Sequence, residues 1–310
     1  MKIAGLAGGV GGAKLAHGFA EVLDPNEFSV IVNTGDDFIH YGLFISPDID
    51  TVCYTLAGLA NPEKGWGRAN ETFTVLSALK CIHAPDWFLL GDKDLALHLE
   101  RTRLVHLGMS LTDITSKICE ELGVFHSVLP MSDDPVSTVV DTLEYGEIHF
   151  QEYFVRHHFK PKTKGFRFQG IEHAQPTQKV KQILSGADLV VICPSNPFVS
   201  INPILALPEI KNILKNKFVI GVSPIINGKA VKGPLGSMLM DKKLPVHPES
   251  IIKQYEGFLN VFFVDQTESK SNFSNTSSSI MILKEKITLP DLDSRKKLAQ
   301  SIINTYIKYK

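Results

Sequence analysis

Six short apolar segments, residues 3–7, 28–32, 87–90, 188–193, 218–222 and 261–264, each run into a glycine-rich or polar turn. Stretches of helical period lie between most of them. A strand that is apolar on both faces needs cover on both, and intervening helices supply it. The alternation therefore predicts an α/β chain, a mainly parallel sheet with helices on both faces. Ligands of such sheets bind beyond the carboxyl ends of the strands, which makes the strand-end loops the candidate site. The middle of the chain departs from simple alternation: helical periods near 71–81, 92–101 and 111–122 precede β-like stretches such as 136–142. No proline-rich linker, charge block or internal repeat marks a boundary. We therefore expect a single α/β domain over 1–310, with 60–175 as a mixed helical and β insertion lining the active-site cleft. The Ser- and Asn-rich run 269–279 reads as a mobile loop, and 291–309 as an amphipathic closing helix.

At 310 residues, 44% hydrophobic and 21% charged, the chain can bury a large core. Its 32 Lys and Arg balance 33 Asp and Glu, so no overall basic field collects nucleic acid or anionic lipid. Any anionic ligand must be held by local groups. The longest apolar runs are far too short to cross a bilayer, and glycines interrupt the N-terminal MKIAGLAGGVGG where a signal peptide needs a continuous apolar stretch. A cytoplasmic protein without membrane contact is expected. Cys53, Cys81, Cys119 and Cys193 are widely spaced and form no CxxC pair, so they read as buried thiols rather than as zinc ligands or a disulfide framework.

The first apolar segment runs directly into Gly8-Gly9-Val10-Gly11-Gly12-Ala13-Lys14. Glycines let backbone N–H groups approach a phosphate, a helix N-terminus adds favourable partial charge, and Lys14 supplies a full one. The run is not a Walker A loop, because Ala13 precedes the lysine and Leu15 follows it. It is also a broken GxGxxG, with Lys14 where the third glycine would fall, which disfavours a Rossmann dehydrogenase. The second segment ends in Asn33-Thr34-Gly35-Asp36-Asp37, followed by Ser46-Pro47-Asp48-Ile49-Asp50-Thr51. Asp36, Asp37, Asp48 and Asp50 offer oxygen ligands for a hard cation that could bridge phosphates, with magnesium the natural candidate. The ordinary roles of Asp at such places are a helix cap for Asp48 and a turn for Asp36 or Asp37. Both kinds of role are expected within the group.

Gly65-Trp66-Gly67-Arg68-Ala69-Asn70-Glu71-Thr72 sets an aromatic beside a cation, either a loop over a planar ligand or a turn before a helix capped at Asn70. Lys93 follows the 87–90 segment at another expected strand end, where Asp92 could simply cap a helix. Ser195, Asn196 and Pro197 follow 188–193 and bring small polar groups suited to a phosphate, ribose or base edge. The run from Val222 to Gly233 repeats that logic with Lys229 and Lys232, although loop lysines are usually just solvated. Adjacent His157 and His158 form no ligand pattern, and there is no GxSxG or other nucleophile with a partner, so covalent catalysis is not expected.

Taken together, AGGVGGAKL, NTGDD, SPDIDTVCYTLAG, GWGRANET, WFLLGDKDLALHLERT, MSDDPVSTVV, FQEYFVR, CPSNPFVSINPIL and GVSPIINGKAVKGP, in this order, make the chain resemble the 2-phospho-L-lactate transferase (CofD) family from its first segment to about Lys232. The family often has Arg where Lys93 stands, and the two are not equivalent as anion clamps. The resemblance implies a Rossmann-like nucleotide-binding fold. It also implies transfer of a 2-phospholactyl group from lactyl-2-diphospho-5'-guanosine to the ribityl hydroxyl of 7,8-didemethyl-8-hydroxy-5-deazariboflavin (Fo), releasing GMP, in coenzyme F-420 biosynthesis. On that reading Asp36 and Asp50, with Asp37, hold Mg2+ or orient the hydroxyl, and Asp50 contacts the acceptor alcohol. Gly8, Gly9, Gly11, Gly12, Lys14, Lys93, Ser195, Asn196, Pro197 and Lys232 hold the guanosine diphosphate and its neighbours. A homodimer is expected at this size. The alternative within the same superfamily is a non-catalytic regulatory protein that binds a nucleotide sugar.

Overall fold

The computed structural model describes residues 1–231, 233–269, 273 and 279–310. In chain order the first elements are β1 (Ile3–Ala7), α1 (Gly9–Ala20), β2 (Phe28–Val32), β3 (Phe38–His40), β4 (Leu43–Ile45), α2 (Pro47–Leu56), α3 (Thr74–Cys81), α4 (Asp92–His106) and α5 (Leu111–Glu121). Next come β5 (Ser127–Pro130), β6 (Ser137–Thr142), β7 (Gly146–His149), β8 (Thr163–Gln169), α6 (Gln178–Gly186), β9 (Leu189–Ile192), α7 (Asn202–Ala206) and α8 (Ile210–Leu214). The chain closes with β10 (Phe218–Val222), β11 (Ile225–Ile226), β12 (Lys229–Ala230), α9 (Leu235–Asp241), α10 (Pro248–Ile252), β13 (Val261–Asp265), β14 (Met281–Glu285) and α11 (Leu292–Tyr309).

Seven strands form one sheet in the order β14-β13-β10-β9-β1-β2-β5, with every neighbouring pair parallel. The alternation of strand side chains divides the core in two. Ala4, Leu6, Val190 and Ile192 join the cluster on one face, while Ile3, Ala7, Leu189 and Val191 join the cluster on the other. All residues of β1 and β9 are buried, as expected of strands covered by helices on both sides. This is the α/β, Rossmann-like architecture. The chain leaves β1 for β2 and β5 on one side, then returns to β9 on the other side of β1. That reversal opens a crevice at the carboxyl ends of β1 and β9, where such sheets take their ligands.

The 60–175 stretch holds α3, α4 and α5 and the separate antiparallel sheet β7-β6-β8, and it also supplies β5, the edge strand of the main sheet. Residues 87–90, expected as a strand, are not one. Trp87 and Phe88 instead pack on the β3–β4 hairpin, with ring centroids 4.9 Å apart for Phe38 and Phe88 and 5.1 Å for His40 and Trp87. Aromatic packing absorbs the apolar run, so no strand pairing is needed to bury it. Cys81 is exposed, against expectation, because only Leu76 of short α3 is buried, whereas Cys53, Cys119 and Cys193 are buried. The 269–279 segment lies largely outside the described residues. The closing helix starts with a capping box between Asp291 and Ser294 and packs on α1. No described helix is long and apolar enough to cross a membrane.

Candidate active site

At the crevice the β1–α1 turn and the loop after β9 are locked together. Ser195 Oγ accepts from the Gly8 N–H at 3.1 Å and donates to the Gly8 carbonyl at 2.7 Å. A Cβ at Gly11 would lie 2.2 Å from the Pro194 carbonyl oxygen, and one at Gly12 would lie 2.5 Å from Ser195 Oγ. The glycines therefore let two strand-end loops touch. Gly9, at φ +61°, turns the chain into α1 and donates its N–H to Asp48. Gly8 itself has no side chain to cap this helix, and the first turn holds no acidic residue. Lys14 is half-buried on the second turn. Asn196 accepts from the Phe198 N–H at 3.0 Å and so shapes the buried turn at Pro197. Lys232 lies outside the described residues.

The four Asp residues of the NTGDD and SPDID runs are all buried, but they do different things. Asp48 is a clamp, accepting from Asn33 Nδ2 at 2.9 Å and from Gly9, with burial pushing its carboxyl up to about 6. Burial raises Asp36 well above the usual carboxylate range, with Asp48 and Asp37 adding to the effect and an Asn33 side-chain hydrogen bond opposing it, and Gln151 Nε2 donates to its Oδ2 at 3.4 Å. Asp37 is also raised by burial, although Ser46 Oγ donates to it at 2.8 Å. Asp36 Oδ1 and Asp37 Oδ1 are buried with no hydrogen-bond partner among the described residues, as are Thr34 Oγ1 and Thr138 Oγ1. Asp50 is held by Arg101. Arg101 NH1 donates to its Oδ2 at 3.1 Å and Arg101 NH2 to its Oδ1.

These donor atoms bear on magnesium. That ion usually sits on one or two carboxylates and completes its shell with water and substrate phosphate oxygens. The orphaned oxygens of Asp36 and Asp37 fit such a role. Asp48 and Asp50 already hold partners, and Asp50 groups instead with Asp94 and His98, one potential ligand atom from each lying within 4.8 Å of the others.

Two cavities flank this region. One of about 620 Å³, beyond the carboxyl ends of β2 and β5, is lined by Thr34, Asp37, Phe38, Trp87, His149 and the 133–137 turn. His149 is fixed there by donating from Nε2 to the Asp37 carbonyl at 3.1 Å, and burial holds its imidazole below the usual value. The other, about 250 Å³, is lined by Trp66, Arg68, Asn70, Glu71, Phe73 and Asp94. Its loop is tied to α4 by Glu71, which accepts from the Lys93 N–H at 2.7 Å and the Asp94 N–H at 3.3 Å. Exposed Lys93 donates through Nζ to the Asn70 carbonyl at 2.6 Å. Asn70 does not cap α3, whose first amides go to Asp92 instead.

A family model described as 2-phospho-L-lactate transferase CofD matches residues 3–306. The chain belongs to the CofD family. The match runs well past Lys232, where the recognisable motifs thin out. A 2-phospho-L-lactate transferase of Methanosarcina acetivorans is 36% identical over 301 residues, covering 97% of this chain and 98% of that protein. A phosphoenolpyruvate transferase of Thermobifida fusca is 39% identical over 283 residues, covering 87% of this chain and 88% of that protein. A UPF0052-family protein of Bacillus halodurans shares the fold, with a TM-score of 0.60 at 14% identity over 97% of this chain and 98% of that one. As a CofD-family member, the protein is a transferase.

Within this CofD-family chain the motif reading missed Asp94, His98 and Arg101. They recur at i, i+4 and i+7 among the leucines of α4, a spacing that places them on one helix face, with His98 and Arg101 buried and Asp94 half-buried. Trp87 and His149 escaped notice because nothing local says they meet Phe38.

Proposed function

We propose that the protein moves the 2-phospholactyl group of lactyl-2-diphospho-5'-guanosine to the ribityl hydroxyl of Fo, releasing GMP in coenzyme F-420 biosynthesis. The observation that carries this is a row of buried carboxylates between two differently shaped sites. Asp48 touches the glycine turn, Asp36 lies beside Asp48, and Asp37 opens on the aromatic-walled cavity. A diphosphate at the β1 and β9 loops would lie at one end of that row, and a planar deazaflavin in the aromatic cavity would lie at the other.

The acceptor hydroxyl attacks the phosphorus bearing lactate, and GMP leaves with the bridging oxygen. Such a transfer depends on alignment and charge neutralisation more than on a nucleophilic side chain. Asp36 and Asp37 would hold Mg2+, which when bound supplies the positive charge that offsets the phosphate oxygens. The β1–α1 amides and Lys14 bind the donor, Asp50 orients the acceptor hydroxyl, and the aromatic walls exclude water. Incubation with both substrates and Mg2+ should yield GMP and phospholactyl-Fo by chromatography and mass. Donor binding without GMP release overturns the reading. The identity to the Thermobifida fusca phosphoenolpyruvate transferase supports an enolpyruvyl donor as a second reading. Competition between equal amounts of lactyl and enolpyruvyl donors separates the two by product mass.

A further inference from the structure

Arg101 heads the large side chains that are wholly buried, with 0% of its surface exposed. A buried guanidinium is tolerated only with strong partners, and a well-packed apolar residue of similar size is often no worse for stability. The partners of Arg101 form a directed chain. Its two terminal nitrogens hold both oxygens of Asp50, and NH1 also lies 3.1 Å from His98 Nδ1. Arginine only donates, so His98 Nδ1 accepts and the ring hydrogen sits on Nε2, which faces Asp94 Oδ1 at 3.5 Å. Tyr54 in turn donates to that Asp94 oxygen at 2.6 Å. Arg101 leaves its own Nε without a partner among the described residues. A cation at Asp50 and His98 is therefore already present, which argues against a metal in that group.

We propose that Arg101 is the positioning residue for Asp50. Its fork fixes the carboxylate plane on α2, His98 steadies the fork from α4 through NH1, and the remaining lone pairs of Asp50 are thereby held at one angle. The inference rests on the reading of Asp50 given above. A bidentate guanidinium sets both distance and plane, whereas an ammonium sets neither plane nor second contact.

The test is steady-state turnover of Arg101→Lys, Asp50→Asn and the double variant, with Tm measured for each. Misplacement by about 1 Å can cost about a hundredfold in rate, so Arg101→Lys should lose about that factor in kcat with the donor KM unchanged. The double variant should be no slower than Asp50→Asn alone. An Arg101→Lys enzyme with wild-type kcat, or a loss that persists in full in the Asp50→Asn background, overturns the proposal. Should Arg101→Lys fail to fold, His98→Leu keeps Arg101 and Asp50 while removing the acceptor that steadies NH1 and the ring N–H that faces Asp94, and it is read by the same two criteria. No turnover by the unaltered enzyme sinks the functional reading and this inference together. Turnover insensitive to Arg101 sinks the inference alone.

Discussion

Asp36 is kept at a cost to the fold. Its carboxyl is buried, raised well above the ordinary range by desolvation and by Asp48 and Asp37, and one of its oxygens has no partner among the described residues. A carboxyl with a raised folded pKa favours the protonated fold, so its ionisation penalises the folded state once the pH exceeds the unfolded value. Asp36→Asn should therefore raise the Tm of the metal-free protein at pH 8 and change it little at pH 4, as differential scanning calorimetry can show. The same variant should lose at least about a hundredfold in kcat if the residue serves the transfer. Greater stability with lower activity is the behaviour of a functional site that holds unfavourable groups in place. If the Tm at pH 8 does not rise, the burial account of Asp36 is wrong. If kcat is unchanged, its place in the reaction is wrong.

At the scale of elements, the start of α1 sets two effects against each other. Helix propensity favours Ala over Gly by about 1 kcal/mol, so Gly11→Ala ought to stabilise an isolated helix. Here the added methyl would meet the Pro194 backbone oxygen at 2.2 Å, and a backbone carbonyl fixed beside β9 cannot swing away. Overpacking of this kind costs about 1–3 kcal/mol, so the net change should be a loss of stability, read as a lower denaturation midpoint in urea. A midpoint at or above wild type contradicts the contact. The α3–α4 pair offers a second case. Asp92 begins α4 yet accepts from Thr72 Oγ1 and from the first amides of α3, and those bonds pull its carboxyl down to about 2 from 3.8. A depressed pKa gives stability that is present above pH 3.8 and is lost as the pH falls toward 2. Asp92→Asn should melt below wild type at neutral pH, with the gap closing near pH 2. A constant gap across that range means that the charge plays no part.

Across the whole molecule, the donor is expected to bridge loops distant in sequence but joined at the crevice. GDP with Mg2+ should slow amide hydrogen exchange at residues 8–12 and 193–197 together, and should raise the unfolding free energy by about 2.7 kcal/mol at a hundredfold excess over Kd. Exchange left unchanged at both loops would move the nucleotide away from the crevice. The parallel sheet was legible from the sequence because buried strands alternating with amphipathic helices leave a local signature in hydrophobic pattern. The glycine turn, the acidic strand ends and the order of the motifs were equally local. Two edge strands were not, since β5 and β14 are covered less fully than the central strands and recognised only by what they pair with, and 87–90 misled because its aromatic residues satisfy burial without a sheet. The sequence could count the acidic groups at the end of β2 but not divide their work. Only the tertiary structure gave Asp50 to Arg101 and Asp48 to Asn33 and Gly9, and left oxygens of Asp36 and Asp37 without partners among the described residues. The reason is physical: a hydrogen bond is specified by distance and angle between groups that the chain brings together from far apart, and residue type alone carries neither.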